Sequence, residues 1–186
     1  MALLQKPEDS LMTGEELLQR PDLNPCELVD GRIVPTMPTG RVHGRSEARL
    51  TARLLIYVES HDKGEVLTGE IGIYVRRNPD TVRAADIAFI SHGRLARCKA
   101  EGYLDVAPEI VVEVLSPNDR RGDLAEKIQD YFSAGVDRVW VLDSKQRCIS
   151  VYHALSNIRE LRPGDVLGDE ELLPGFRMAV ADLFRS

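Results

Sequence analysis

The hydrophobic positions fall into stretches of different period. In residues 44–60 Leu50, Leu54 and Val58 recur every fourth residue, with no Pro or Gly after Gly44, which predicts a helix. Upstream, Thr13 followed by Glu16 has the spacing of a capping box and predicts a helix of about two turns ending before Pro21. Residues 27–34 are two short apolar runs around Asp30-Gly31, the signature of a tight hairpin. Pro38-Thr39-Gly40 breaks the chain again.

Beyond the helix the period shortens to two. Ile71, Ile73 and Val75 alternate along one strand, and residues 82–90 form a second, with Asn78-Pro79-Asp80 as the turn between them. Alternation places Asp86, Ala88 and Ile90 on one face of that second strand, with Ile87 and Phe89 on the other. Residues 110–115, Ile-Val-Val-Glu-Val-Leu, are almost wholly apolar and predict a central strand buried on both faces, ended by Ser116-Pro117-Asn118-Asp119. Residues 122–134 return to helical spacing, with Leu124, Ile128, Tyr131 and Phe132 facing the core and Gly135 as the stop. Strands are expected at 139–143 and 148–152, then a turn at 172–175 and a short final helix at 180–184. The order is mixed α/β: a mixed sheet flanked by helices, preceded by a helix and a hairpin.

At 186 residues the chain is expected to form one domain spanning 1–186. With 43% hydrophobic and 29% charged residues it can bury a core and keep a polar surface. Cys26, Cys98 and Cys148 form no C-x-x-C pair, so neither a zinc ribbon nor a disulfide framework is indicated and a cytoplasmic location is expected. Residues 1–10 hold no apolar run suited to a signal peptide. The net charge of −6 runs against nucleic-acid binding, which draws affinity from neutralised phosphates, so any positive surface must be local.

Two acids change the picture. Glu113 stands inside the apolar 110–115 run, where a carboxylate is costly unless paired or bound to a cation. Either a hydrogen-bonded structural Glu or a metal ligand satisfies that requirement. Asp86 sits likewise inside an apolar strand, although Asp is a poor strand former. If the two strands are neighbours the acids repel, and a divalent cation relieves the repulsion.

Several segments together resemble a restriction-endonuclease family within the PD-(D/E)XK nuclease superfamily. They are Glu27-Leu28-Val29-Asp30-Gly31, Met37-Pro38 with His43, residues 82–90 around Asp86, residues 108–117, Lys127 with Tyr131, and residues 135–143. The resemblance spans about residues 13–184 and is most specific at Glu113-Val114-Leu115-Ser116-Pro117 with the downstream Lys and Tyr. It implies a restriction-endonuclease-like core and a metal-dependent endonuclease acting on DNA. Asp86 and Glu113 would hold Mg²⁺ or Mn²⁺, with the Val114 carbonyl as a third ligand. Ala85 stands where the superfamily has Pro. Leu115 stands where it has Lys, and the resemblance implies that Lys127 supplies the missing ammonium.

Other readings stay open beside these. Asp123 precedes Lys127 by one helical turn, so the two could form an ordinary surface pair. Glu47 extends the apolar stripe of its helix and is either a second-metal acid or a solvated group near the helix start; Glu70 and His43 are weaker candidates of the same kind, with Tyr131 in support. Arg45, Arg49 and Arg53 form a stripe that is either a phosphate-binding face or a solvated one. The rival to a nuclease is a nuclease-like domain that does not cleave and serves as a binding or homodimerisation module, for which Leu115 is the best support.

Overall fold

The computed structural model describes residues 11–99, 102–116 and 119–185. Residues 1–10, read above for a signal peptide, lie outside the described residues, as do Pro117 and Asn118 of the expected strand stop.

The capping box forms as its spacing requires. The Glu16 N–H donates to the Thr13 hydroxyl at 3.2 Å and the Thr13 N–H to the Glu16 carboxylate at 3.0 Å, opening α1 (Gly14–Leu18). Asp30 and Gly31, at φ 50 and 71°, turn the chain between β1 (Cys26–Val29) and β2 (Arg32–Pro35). The long helix α2 (Arg41–Ser60) begins one turn earlier than expected, because Gly40 takes the cap position and Gly44 lies inside the helix. The next two strands are longer than their apolar runs: β3 (Gly64–Arg76) and β4 (Thr81–Ser91) pair antiparallel along their length. A short helix, α3 (His92–Leu95), follows in what reads in the sequence as a polar connection.

β5 (Ile110–Val114) is buried at every position, as a central strand must be. α4 (Arg121–Ala134) follows, closed by Gly135 in the left-handed region at φ 100°, and leads into β6 (Arg138–Asp143), parallel to β5. β7 (Cys148–Ala154) returns antiparallel.

The tail departs from expectation. Residues 157–179 hold three strands, β8 (Asn157–Leu161), β9 (Val166–Asp169) and β10 (Leu173–Ala179), before the expected final helix α5 (Val180–Leu183). β8 extends the main sheet from β7, with four of its five residues exposed, so it carries almost no apolar alternation to read. β9 and β10 form a separate two-stranded sheet.

The main sheet runs β2-β1-β4-β5-β6-β7-β8, with β3 on the other edge of β4. One face packs Ile87, Phe89, Val112 and Trp140 against Leu50, Leu54 and Val58 of α2 and against β10 and α5. The other packs Ile73, Val111, Val139 and Val141 against Ile128 and Tyr131 of α4. Each fully buried aliphatic side chain contributes roughly 1.5–3 kcal/mol relative to exposure, so both layers are firmly held.

Candidate active site

The sheet forks beside Asp86. On the edge of β4 away from β3, β1 pairs at Leu28–Val82 and β5 pairs at residues 87–89, which leaves the edge between them without a strand. Buried backbone polar groups need partners, and side chains supply them here. The Ala84 N–H donates to a Glu27 oxygen at 2.9 Å, and the Lys127 ammonium donates to the Ala84 carbonyl at 2.8 Å. On the β5 side, the Val114 N–H donates to Asp86 Oδ2 at 2.6 Å. The register of Ile87 with Val112, carried one step on, sets Asp86 across from Glu113.

β3 is bulged at the same level. Thr68 faces Ile87 and Ile71 faces Ala85, so β3 spends three steps where β4 spends two. The extra residue lies at Gly69-Glu70, both with positive φ. Bulges re-aim side chains, and this one turns Glu70 to the wall of the cleft. Ile87 and Phe89 share the α2-side layer, as the alternation predicts, but that alternation does not extend back to Ala85, which packs in the α4-side layer.

A cleft of about 780 Å³ opens over the fork, lined by Glu27, His43, Glu70, Asp86, Glu113 and Lys127 among others. On its α4 side Glu27, Glu113, Lys127 and Tyr131 form one paired network. Glu113 accepts from Lys127 at 2.9 Å and from the Tyr131 hydroxyl at 2.7 Å. Lys127 also lies 3.1 Å from Glu27, so its three donors have three acceptors. Glu27 in turn pairs with Arg83 at 3.0 Å, and Arg83 reaches Asp130 and Glu126. Among the described residues no ion pair joins Lys127 to Asp123; the buried partners take the lysine instead.

Burial pushes the Glu113 carboxyl up to about 7, with Asp86 adding to the rise and Lys127 and Tyr131 opposing it. Burial alone would lower the Lys127 ammonium, but Glu113 and Glu27 outweigh it and hold the pKa above the usual lysine value. Glu27 is held below the usual range despite its burial, by Lys127, the Ala84 N–H and Arg83. Tyr131 is pushed well up by burial and by Glu113.

The α2 side is different. His43, in the first turn of α2, places Nε2 3.3 Å from Asp86 Oδ2 and Nδ1 3.8 Å from a Glu47 oxygen. One ligand atom from each of His43, Glu47 and Asp86 lies within 4.8 Å of the others, a spacing that could accommodate a metal ion. Glu113 is not in that group. Glu70 has its carboxyl raised by partial desolvation and by Asp86.

The arginine stripe lies elsewhere. Arg49 donates to the Arg185 carbonyl, and Arg49 and Arg53 flank a shallow depression with Asp182 and Arg185. None of Arg45, Arg49 and Arg53 lines the cleft.

The chain matches the model of the Uma2 family, described as "Putative restriction endonuclease", over residues 15–181. It belongs to the Uma2 family. A crystal structure from Anabaena variabilis ATCC 29413, described as a "putative nuclease belonging to DUF820", has a TM-score of 0.76 at 19% identity, covering 93% of this chain and 97% of that one. At that identity the likeness shows the fold: this Uma2 chain carries the nuclease-like sheet. No curated protein matches it significantly. No helix among the described residues is long and apolar enough to cross a membrane.

Glu27 was missed as a candidate. It stood only within a motif, and its one sequence signal was an acid at the start of an apolar strand. Its role in filling the fork depends on Ala84 and Lys127, 57 and 100 positions away, which local pattern cannot reveal.

Proposed function

We propose that this Uma2 protein is a metal-dependent nuclease that hydrolyses phosphodiester bonds in DNA. The observation that carries the reading is the fork itself, where Asp86, Glu113 and Lys127 line one cleft and the lysine sits 2.9 Å from Glu113. Leu115 does not leave the site without an ammonium, because α4 packs on the Glu113 face of β5 and delivers Lys127 there.

The donor set fits Mg²⁺ or Mn²⁺. Asp86 and Glu113 supply hard carboxylate oxygens, and Val114, whose carbonyl would be the third ligand, lines the same cleft. Burial, with Asp86 adding to it, raises the Glu113 carboxyl to about 7, and a bound cation would favour its charged form. When bound, such an ion polarises the phosphate and makes water a stronger nucleophile.

The chain's own groups do the rest. The Val114 N–H fixes Asp86, and Tyr131 fixes Glu113. Lys127 keeps its proton and offers a positive charge to the phosphoryl oxygens as negative charge develops on them. Glu27 and the Ala84 carbonyl hold that ammonium in place. One observation favours the rival, a nuclease-like module that does not cleave: all three Lys127 donors are already engaged within the protein.

The test is cleavage of supercoiled and single-stranded DNA with Mg²⁺ or Mn²⁺, run beside Asp86→Ala. The expected result is metal-dependent cleavage that falls by at least about 100-fold in the variant, consistent with loss of a Lewis-acid site. No cleavage by the wild type, or equal cleavage by both, would remove the nuclease reading.

A further inference from the structure

We propose that His43 is a cation ligand, and that with Asp86 and Glu47 it makes a mixed nitrogen–oxygen site that prefers a first-row transition cation such as Mn²⁺ to Mg²⁺. The inference rests on the reading of Asp86 as a cation-binding acid and adds which residues share the ion and which ion they select.

The first ground is convergence from separate elements. His43 and Glu47 come from successive turns of α2, four residues apart and therefore on one face, and Asp86 comes from β4. Their ligand atoms lie within 4.8 Å of one another. The His43 Nε2 to Asp86 Oδ2 separation of 3.3 Å suits two atoms bound to one ion, since ligands about 2.1 Å from a metal lie roughly 3.0–3.4 Å apart.

The second ground is independent. The His43 side chain is only 5% exposed, and its Nδ1 is buried with no hydrogen-bond partner among the described residues. With Nε2 on the ion, the other ring nitrogen carries the proton, and a metal-bound histidine directs that N–H to a carboxylate or carbonyl. That nitrogen faces Glu47, whose carboxylate is itself steadied by the Thr68 hydroxyl from β3. Thr68 Oγ1 also lies 3.0 Å from the Asp86 carbonyl, which ties the three ligand-bearing elements together.

The choice of ion follows from the donors. Mg²⁺ favours oxygen ligands in near-octahedral geometry and keeps much of its water, whereas imidazole suits the transition metals. An all-carboxylate site would discriminate little between Mg²⁺ and Mn²⁺. One with a committed imidazole favours the latter.

The test is titration of metal-free protein with Mn²⁺ and with Mg²⁺ by calorimetry, together with electron spin-echo spectroscopy of the Mn²⁺ form. Wild type should bind Mn²⁺ at least about tenfold more tightly than Mg²⁺, and the echo should carry modulation from a directly bound imidazole nitrogen. His43→Asn should lose the modulation and the preference, and Glu47→Gln should weaken Mn²⁺ binding about tenfold while keeping the modulation. Mn²⁺ bound by wild type without nitrogen modulation would overturn the role of His43 and leave Asp86 as a cation acid, provided Asp86→Asn abolishes binding. No binding of either ion by wild type would overturn both readings together. The spectrum of the wild type decides the matter even if a variant fails to fold.

Discussion

The two walls of the cleft are built on opposite plans. On the α4 wall, Glu27, Arg83, Glu113, Lys127 and Tyr131 are joined by ion pairs and hydrogen bonds, and the lysine has three acceptors for three donors. On the α2 wall, His43, Glu47 and Asp86 approach without closing into such a network, and among the described residues His43 Nδ1 has no hydrogen-bond partner. A satisfied wall fixes positions; an unsatisfied one has chemistry left to accept. Asp86 belongs to both, because its Oδ2 accepts the Val114 N–H and also lies 3.3 Å from His43 Nε2.

The largest expected effect comes from breaking the satisfied wall. Lys127→Met leaves Glu113 buried without its cation and Glu27 with Arg83 alone, and removing one member of a buried ion pair costs about 3–5 kcal/mol. Denaturant unfolding measures that loss, and cleavage at a temperature where the variant is folded should vanish. Binding of Mn²⁺ should survive, because lysine is not a ligand. Lys127→Arg should recover little, since a planar fork does not meet three acceptors arranged around one nitrogen. Turnover in Lys127→Met within a few-fold of wild type would remove the lysine from the mechanism and shift the balance to a module that does not cleave.

Much of this arrangement was legible in the sequence. Glu113 and Asp86 stood out because each interrupts an apolar strand, and Lys127 lay beside the apolar stripe of α4. The resemblance then linked them across 41 positions. What could not be read is where a strand leaves its neighbour. The fork arises because β1 and β5 pair with different stretches of β4, and nothing local in either strand announces that. The bulge at Gly69-Glu70 hid for the same reason, since one inserted residue looks like an end to alternation. The three strands of the tail were missed because an edge strand such as β8 buries only one residue in five.

A smaller effect should distinguish the walls by pH. Burial holds the folded Glu113 carboxyl at about 7, above the 4.5 of the free group. A raised folded value means that the contribution of this group to stability is complete below about pH 4.5 and is lost as pH rises through about 7. His43 adds in the same direction: its ring is raised despite burial, by Asp86 and Glu47. Metal-free protein should therefore lose on the order of 1–3 kcal/mol between pH 5 and 8, read from unfolding free energies. Glu113→Gln should flatten that decline, and saturating Mn²⁺ should stabilise more at pH 8 than at pH 6 as protons cease to compete. A decline unchanged in Glu113→Gln would place the titration on the α2 wall instead.

The smallest expected effect concerns the partner that sequence spacing offered first. Asp123 precedes Lys127 by four residues, and on an isolated helix that pair is worth about 0.3–0.5 kcal/mol. In the folded protein the ammonium turns inward, where Glu113 and Glu27 hold it more strongly than an exposed carboxylate could. Asp123 is left in the first turn of α4, where a negative charge favours the helix dipole. Asp123→Asn keeps the shape and removes the charge, so only that dipole contribution, at most about 0.5 kcal/mol at an exposed position, should be lost. Cleavage and its metal dependence should be unchanged. A loss of stability comparable to that of Lys127→Met, or a double variant whose cost falls well short of the two singles combined, would mean that Asp123 and Lys127 are coupled after all. The lysine would then belong to the surface of α4, and the satisfied wall would lose its centre.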